Sequence, residues 1–192
     1  MLVLWGIGYG SYNEESLKVK YKKEFAALDA GLKQYLNDKK MELFVSQDSI
    51  ATDYFRYHKY LEYDKVLEGK FLAIIRDDND GETKLEYRLN EELRNHNQYT
   101  LSPNSLDYVV VLFPRWDTDY YRGGGSFSST TEMATAYVVD YKADTIVKIR
   151  EFDTDKNPFA IQVNKRAISH NEKHNLKGEE LYNGVMNPGQ YH

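Results

Sequence analysis

Across residues 108–113 the chain reads Tyr-Val-Val-Val-Leu-Phe, apolar at odd and even positions alike. Alternate side chains of a strand point to opposite faces, so this pattern predicts a strand covered on both sides. Pro103, Asn104 and Pro114 bound it at a strand's length, and three successive valines disfavour a helix. It reads as the centre of a sheet.

Upstream the period changes. Leu17, Tyr21, Phe25, Leu28, Leu32 and Tyr35 recur at intervals of four and three, the spacing of one helical face. Asn13 is a fitting N-cap, and Glu14 and Glu15 suit the dipole of a first turn. One long helix is predicted over 14–37. Residues 41–45 read as a short strand, and 48–58 as a short helix followed by irregular chain.

From Gly69 the pattern is that of a sheet. A strand at 70–76, the turn Asp77-Asp78-Asn79-Asp80-Gly81 and a strand at 84–89 make a hairpin, because glycine accepts positive φ. A helical turn at 90–94 precedes the central strand. After it come a polar, aromatic and glycine-rich loop at 115–128 and strands at 131–142 and 145–152, joined through Lys142-Ala143-Asp144. The tail from 153 is poor in apolar residues and holds one helix near 177–183. No helix of crossover length is legible between 70 and 152. The predicted fold class is therefore α+β, a mainly antiparallel sheet of four to five strands with one long N-terminal helix packed on it. Residues 1–12 form an apolar segment, 13–158 a single domain and 159–192 a polar C-terminal extension.

The chain has 192 residues and a formal charge of −5, with a pI near 5.6 and a mean hydropathy of −0.69. That balance argues against nucleic acid as a partner. Without cysteine there is no disulfide, thiol nucleophile or cysteine-held zinc, which fits a cytoplasmic location. Seventeen tyrosines suit half-buried sheet faces and contact surfaces equally. Residues 1–10 lack the basic start and cleavage site of a signal peptide. They look like the end of a membrane anchor, with Trp5, Tyr9 and Tyr12 as interfacial aromatics. Lys18, Lys20, Lys22 and Lys23 would then hold the domain on the cytoplasmic side. The plainer reading is an edge strand or a loose apolar terminus.

Gly69-Lys70, Leu89 with Leu93-Arg94, Val109-Val110-Val111, Gly123-Gly124-Gly125, Val138-Val139-Asp140, and Phe152 with Pro158 follow one another along 69–158. This order resembles a loose group of uncharacterised bacterial α+β domains, often tethered to a membrane by one N-terminal helix. The resemblance implies a fold and an anchor, and no catalytic residues.

Motifs for chemistry are sparse. Gly6-Ile7-Gly8-Tyr9-Gly10 has the composition of a dinucleotide-binding turn, but Ser11 stands where the third glycine belongs. Asp77–Glu82 lacks the ligands of a calcium loop, since Arg76 and Tyr87 fall at its ends. His170 and His174 would share a face if that segment were helical, and with nearby Glu172 or Glu179 could bind a transition metal; a solvated tail is the alternative. No cofactor or metal is expected. The most site-like stretch is the 115–127 loop, where Trp116, Tyr120 and Tyr121 offer rings and Arg115 and Arg122 offer guanidinium groups for a carboxylate or phosphate. The reading is a non-enzymatic binding or protein-interaction domain with an unidentified protein or small-molecule partner. The alternative is a small hydrolase using Asp117 or Asp119 with His58, His96 or His170.

Overall fold

The computed structural model describes residues 6–58, 66–76, 81–123, 125–153 and 169–187. In chain order these form α1 (Gly6–Ala27), α2 (Ala30–His58), β1 (Phe71–Arg76), β2 (Thr83–Leu85), α3 (Tyr87–Asn95), β3 (Tyr108–Gly123), β4 (Gly125–Asp140), β5 (Thr145–Asp153), β6 (Ser169–His174) and α4 (Gly178–Met186). Five strands follow the order β2-β1-β3-β4-β5, and β6 pairs with β4 beyond the end of β5. The fold is α+β, as the pattern predicts.

The valine run is the core of the sheet. Val109 and Val111 lie in an apolar layer with Tyr21, Leu32, Leu36 and Leu43 of the first two helices. Val110 and Leu112 lie in a second layer with Leu89, Leu93, Leu181 and Val185 of the last two. Helices thus cover both faces, and the doubly apolar pattern has its physical cause.

Three expectations are corrected. The sheet is mixed, because β1 runs parallel to β3 while β2, β4 and β5 pair antiparallel with their neighbours. The return from β1 to β3 goes through β2 and α3, a crossover whose helix has only nine residues. Glu86 begins that helix at the point where a strand over 84–89 was expected to continue. Its carboxylate accepts from the Leu89 amide at 2.6 Å, so β2 stops at Leu85.

The single N-terminal helix is two. Asp29 breaks the run by accepting from the Gly31 and Leu32 amides at 2.8 and 3.1 Å, an N-cap for α2. α2 then runs on through 41–45, where a strand was expected, and includes 48–58. Its buried stripe is masked in sequence because two members are lysines. The stems of Lys39 and Lys40 are buried, while their amines reach Glu42 and Asp144 or the Gly81 carbonyl.

Third, the expected loop at 115–128 is the continuation of β3 and β4. The hairpin at 142–144 forms as read, with Asp144 at φ 53°. So does the β1–β2 hairpin, whose residues 77–80 lie outside the described residues. α4 matches the helix expected near 177–183 and brings Leu181, Val185 and Met186 to the second layer.

Asn90 docks α3 on the sheet. Fully buried, it accepts from the Ala73 amide at 2.8 Å and donates to the Ala73 carbonyl at 2.7 Å. With the Glu86 amide, which also donates to the Ala73 carbonyl at 3.0 Å, this side chain completes the backbone bonds of Ala73 on that edge. Val110→Asp places an unpaired charge in a fully covered layer. Loss of the cooperative melting transition is expected, and an unchanged transition would show that the strand is not the centre of the fold.

Candidate functional site

β1 accompanies β3 only as far as Leu112, and β5 accompanies β4 only as far as Met133. Past those points β3 and β4 continue as a ribbon to the Gly123–Gly125 pair, and β6 lies parallel to β4 from Ser126 to Thr131. The result is an arm extending beyond the doubly covered part of the sheet. All five candidate residues lie on β3. Strand alternation divides them, with Trp116, Tyr120 and Arg122 at positions of one face and Arg115 and Tyr121 at positions of the other. The side chains of Tyr120, Tyr121 and Arg122 lie outside the described residues. Arg115 and Asp117 are exposed, and Trp116 keeps 48% of its surface in solvent.

The root of the arm is polar and buried. Trp116 pairs in register with Glu132, which is only 3% exposed. Glu132 takes a two-pronged bond from Arg88, at 2.7 and 2.9 Å, and accepts from the Leu176 amide at 3.0 Å. Arg88 also donates to Glu86 at 2.7 Å and to the Leu176 carbonyl at 2.9 Å. The other Glu86 oxygen holds the Leu89 amide. Burial alone would lower the Arg88 pKa, but Glu86 and then Glu132 drive it well above the ordinary arginine value. Paired carboxylates can serve as general acid and base. Here every carboxylate oxygen already accepts a hydrogen bond, so the cluster acts as a tie between α3, β4 and the approach to α4. Sequence reading missed all three residues. The signal was present for Glu132, which has the same parity as the buried Ala134, Ala136 and Val138.

A second buried cation lies farther along the same layer. Lys148 of β5 is 1% exposed and donates to the Val185 and Asn187 carbonyls at 2.9 and 3.0 Å. Arg150 donates to the Gly184 carbonyl at 3.2 Å. Together they satisfy the end of α4, where the helix dipole favours positive charge. Burial pulls the Lys148 amine down to about 8. A neutral amine retains two N–H groups, enough for both carbonyls.

Several tyrosines that pattern alone left ambiguous are internal fasteners. Tyr87 donates to Glu14 at 2.7 Å, Tyr21 to Glu91 at 2.8 Å and Tyr99 to Glu24 at 2.5 Å, fixing α1 to α3 and the chain beyond it. Tyr35 donates to Asp144 at 2.8 Å, fixing α2 to the β4–β5 turn. Burial, then the carboxylate beside each, raises the phenols of Tyr35, Tyr87 and Tyr99.

The remaining candidates are spread over several elements. Gly6, Gly8 and Gly10 lie in α1 and not in a turn after a strand. His170 and His174 are on β6 and not on a helix, with side chains outside the described residues. The same holds for the side chains of His58 and Asp119. His96 is exposed and stacks on Tyr182 at 4.3 Å. Asp117 shares a row with Thr131 and His174 across three strands, a backbone separation of roughly 10 Å. Among the described residues no three histidine or acidic side chains are grouped to hold a metal, and no helix is long and apolar enough to cross a membrane. No family model, curated protein or solved structure matches the chain.

Two outcomes follow from this geometry. Arg88→Met leaves two buried carboxylates facing each other and should cost about 3–5 kcal/mol in chemical denaturation. Arg88→Met combined with Glu132→Leu should recover part of that loss, because one of the two uncompensated charges goes with it. The second outcome concerns pH. The unfolded chain holds the Lys148 proton up to about 10.5 and the folded chain only to about 8, so the lysine's contribution to stability rises between those values. Subtracting the profile of Lys148→Met isolates it, and a flat difference over pH 8–10 would contradict the assignment.

Proposed function

We propose that this chain is a non-enzymatic interaction domain and that the β3–β4 arm is its contact element. The observation that carries the reading is Trp116, a large ring 48% exposed on a strand that has left its β1 partner. Tryptophan and arginine are the residues most often found to anchor interfaces, where truncation costs about 2 kcal/mol or more. Arg115 beside it and Arg122 at the tip add charge that can read a carboxylate. The Glu86–Arg88–Glu132 cluster supports a binding role over a catalytic one, since each of its carboxylate oxygens is engaged by an internal donor. For location we propose the cytoplasmic side, consistent with a cysteine-free chain and with Lys18, Lys20, Lys22 and Lys23 close behind the apolar start.

A photo-reactive residue at position 116 tests the reading in cells, with the same residue at Val45, 80% exposed on α2, as control. Adducts should form from position 116 and not from position 45. Trp116→Ala with Arg122→Ala should hold the melting temperature and weaken binding of the captured partner at least tenfold. Equal adducts from both positions, or none from 116, would show that the arm is not the contact element.

A further inference from the structure

We infer that the edge of β3 in the arm, unpaired among the described residues beyond Leu112, pairs antiparallel with the same edge of a second copy of this chain, about a two-fold axis at Asp119. The inference rests on the arm being the contact element and names its partner.

Strand β3 has neighbours on both edges only up to Leu112, where its pairing with β1 ends. From Phe113 to Gly123 the described residues supply a partner on the β4 side alone. Such an edge is a ready template for another strand. The simplest partner is the edge itself, because a two-fold interface uses one self-complementary surface twice. For an antiparallel pair with its axis perpendicular to the sheet, residues that meet share a face and their numbers have a constant sum.

Three registers compete. An axis at Trp116 matches Arg115 with Asp117, but the chain beyond Asp119 of each copy then runs across the level that β1 occupies. An axis at Thr118 sets Asp117 opposite Asp119 twice, a repulsion between like charges. An axis at Asp119 avoids the overrun and leaves one like-charge pair in place of two. Its ladder spans 115 to 123, within the open part of β3, and neither tip overruns the β1 of the other copy.

In that register Trp116 stands opposite Arg122 of the second copy, and the symmetry repeats the pair. Arginine over an indole ring is a favourable cation–π arrangement. Asp117 stands opposite Tyr121, the carboxylate–phenol combination that already joins Tyr21 to Glu91 and Tyr99 to Glu24 within this fold. The only like-charge meeting is Asp119 with itself on the axis. Arg115, Asp117, Asp119 and Arg122 sum to zero, so the paired segment carries no net charge although the chain carries −5. The ladder is small beside the roughly 1,200–2,000 Å² of a standard interface, and dimerisation in the micromolar range is expected.

Sedimentation velocity on the full chain from about 1 to 200 µM reads the equilibrium. The parent should pass from monomer to dimer within that range. Asp119→Asn removes the repulsion on the axis and should tighten the dimer several-fold. Arg122→Asp puts an acid opposite Trp116 and should loosen it at least tenfold, with melting curves confirming that both variants fold. A parent that stays monomeric throughout, or a dimer that neither variant alters, overturns the inference. A monomeric parent that still gives adducts to another protein from position 116 overturns the dimer alone and leaves the arm as contact element. A monomer that also gives no adducts from 116 overturns both.

Discussion

One guanidinium group closes the second layer of this fold. Arg88 stands between two carboxylates that are almost wholly buried, Glu86 and Glu132, and bonds to the backbone that leads into α4. Each partner belongs to a different element. Glu86 ends β2 and caps α3, Glu132 lies on β4 at the root of the arm, and Leu176 precedes α4. Two negative charges and one positive charge leave the cluster anionic, so the amides of Leu89 and Leu176 are needed to complete it. Gly178 makes the same junction tight, because a Cβ there would lie 2.8 Å from the Arg88 carbonyl. The mixed topology depends on the same place: α3 carries the chain from β2 back to β3, and this cluster holds its first turn.

What the sequence disclosed follows from physical signal strength. The valine run at 109–111 was legible because it is apolar at both parities, and two helical layers supply the reason. The hairpin turns were legible through Gly81 and through the turn before Thr145. The break at Asp29 was not, because a charged residue off the apolar face of a helix looks the same whether it caps or merely faces water. Lys39 and Lys40 hid the continuation of α2 in the same way, being lysines with buried stems. The arm was read as a loop because its sequence is polar and glycine-rich and shows no apolar alternation. Its ladder is written in backbone bonds, which leave little trace in side-chain pattern. Of the arm, the sequence singled out Arg115 and Trp116, and both are exposed. The buried cluster behind them was not singled out, since three charged residues spread over 86–132 give no local sign of meeting.

The two parts of the site have opposite characters, and that division supports a binding role. Behind Trp116, the polar groups are saturated and fixed to three elements. In front of it, the strand leaves the β1 ladder and exposes an aromatic ring and both signs of charge. Much of the polar chemistry among the described tyrosines is directed inward. Tyr21, Tyr35, Tyr87 and Tyr99 are spent on carboxylates between helices and sheet, and Lys148 on the last turn of α4. In the arm Arg115, Trp116 and Asp117 remain outward.

The Arg88 cluster fixes α3, β4 and the approach to α4 as one unit beneath the arm. Native-state hydrogen exchange at two amides tests it most directly. The Leu89 amide donates to Glu86 and the Leu176 amide to Glu132, the latter in a segment that belongs to neither helix nor strand. If the cluster is intact in solution, both should exchange only through global unfolding, as slowly as Val110 in the central strand. A Leu176 amide that exchanges rapidly while Val110 remains protected would show that α4 and the root of the arm are not tied together, and the account would fail.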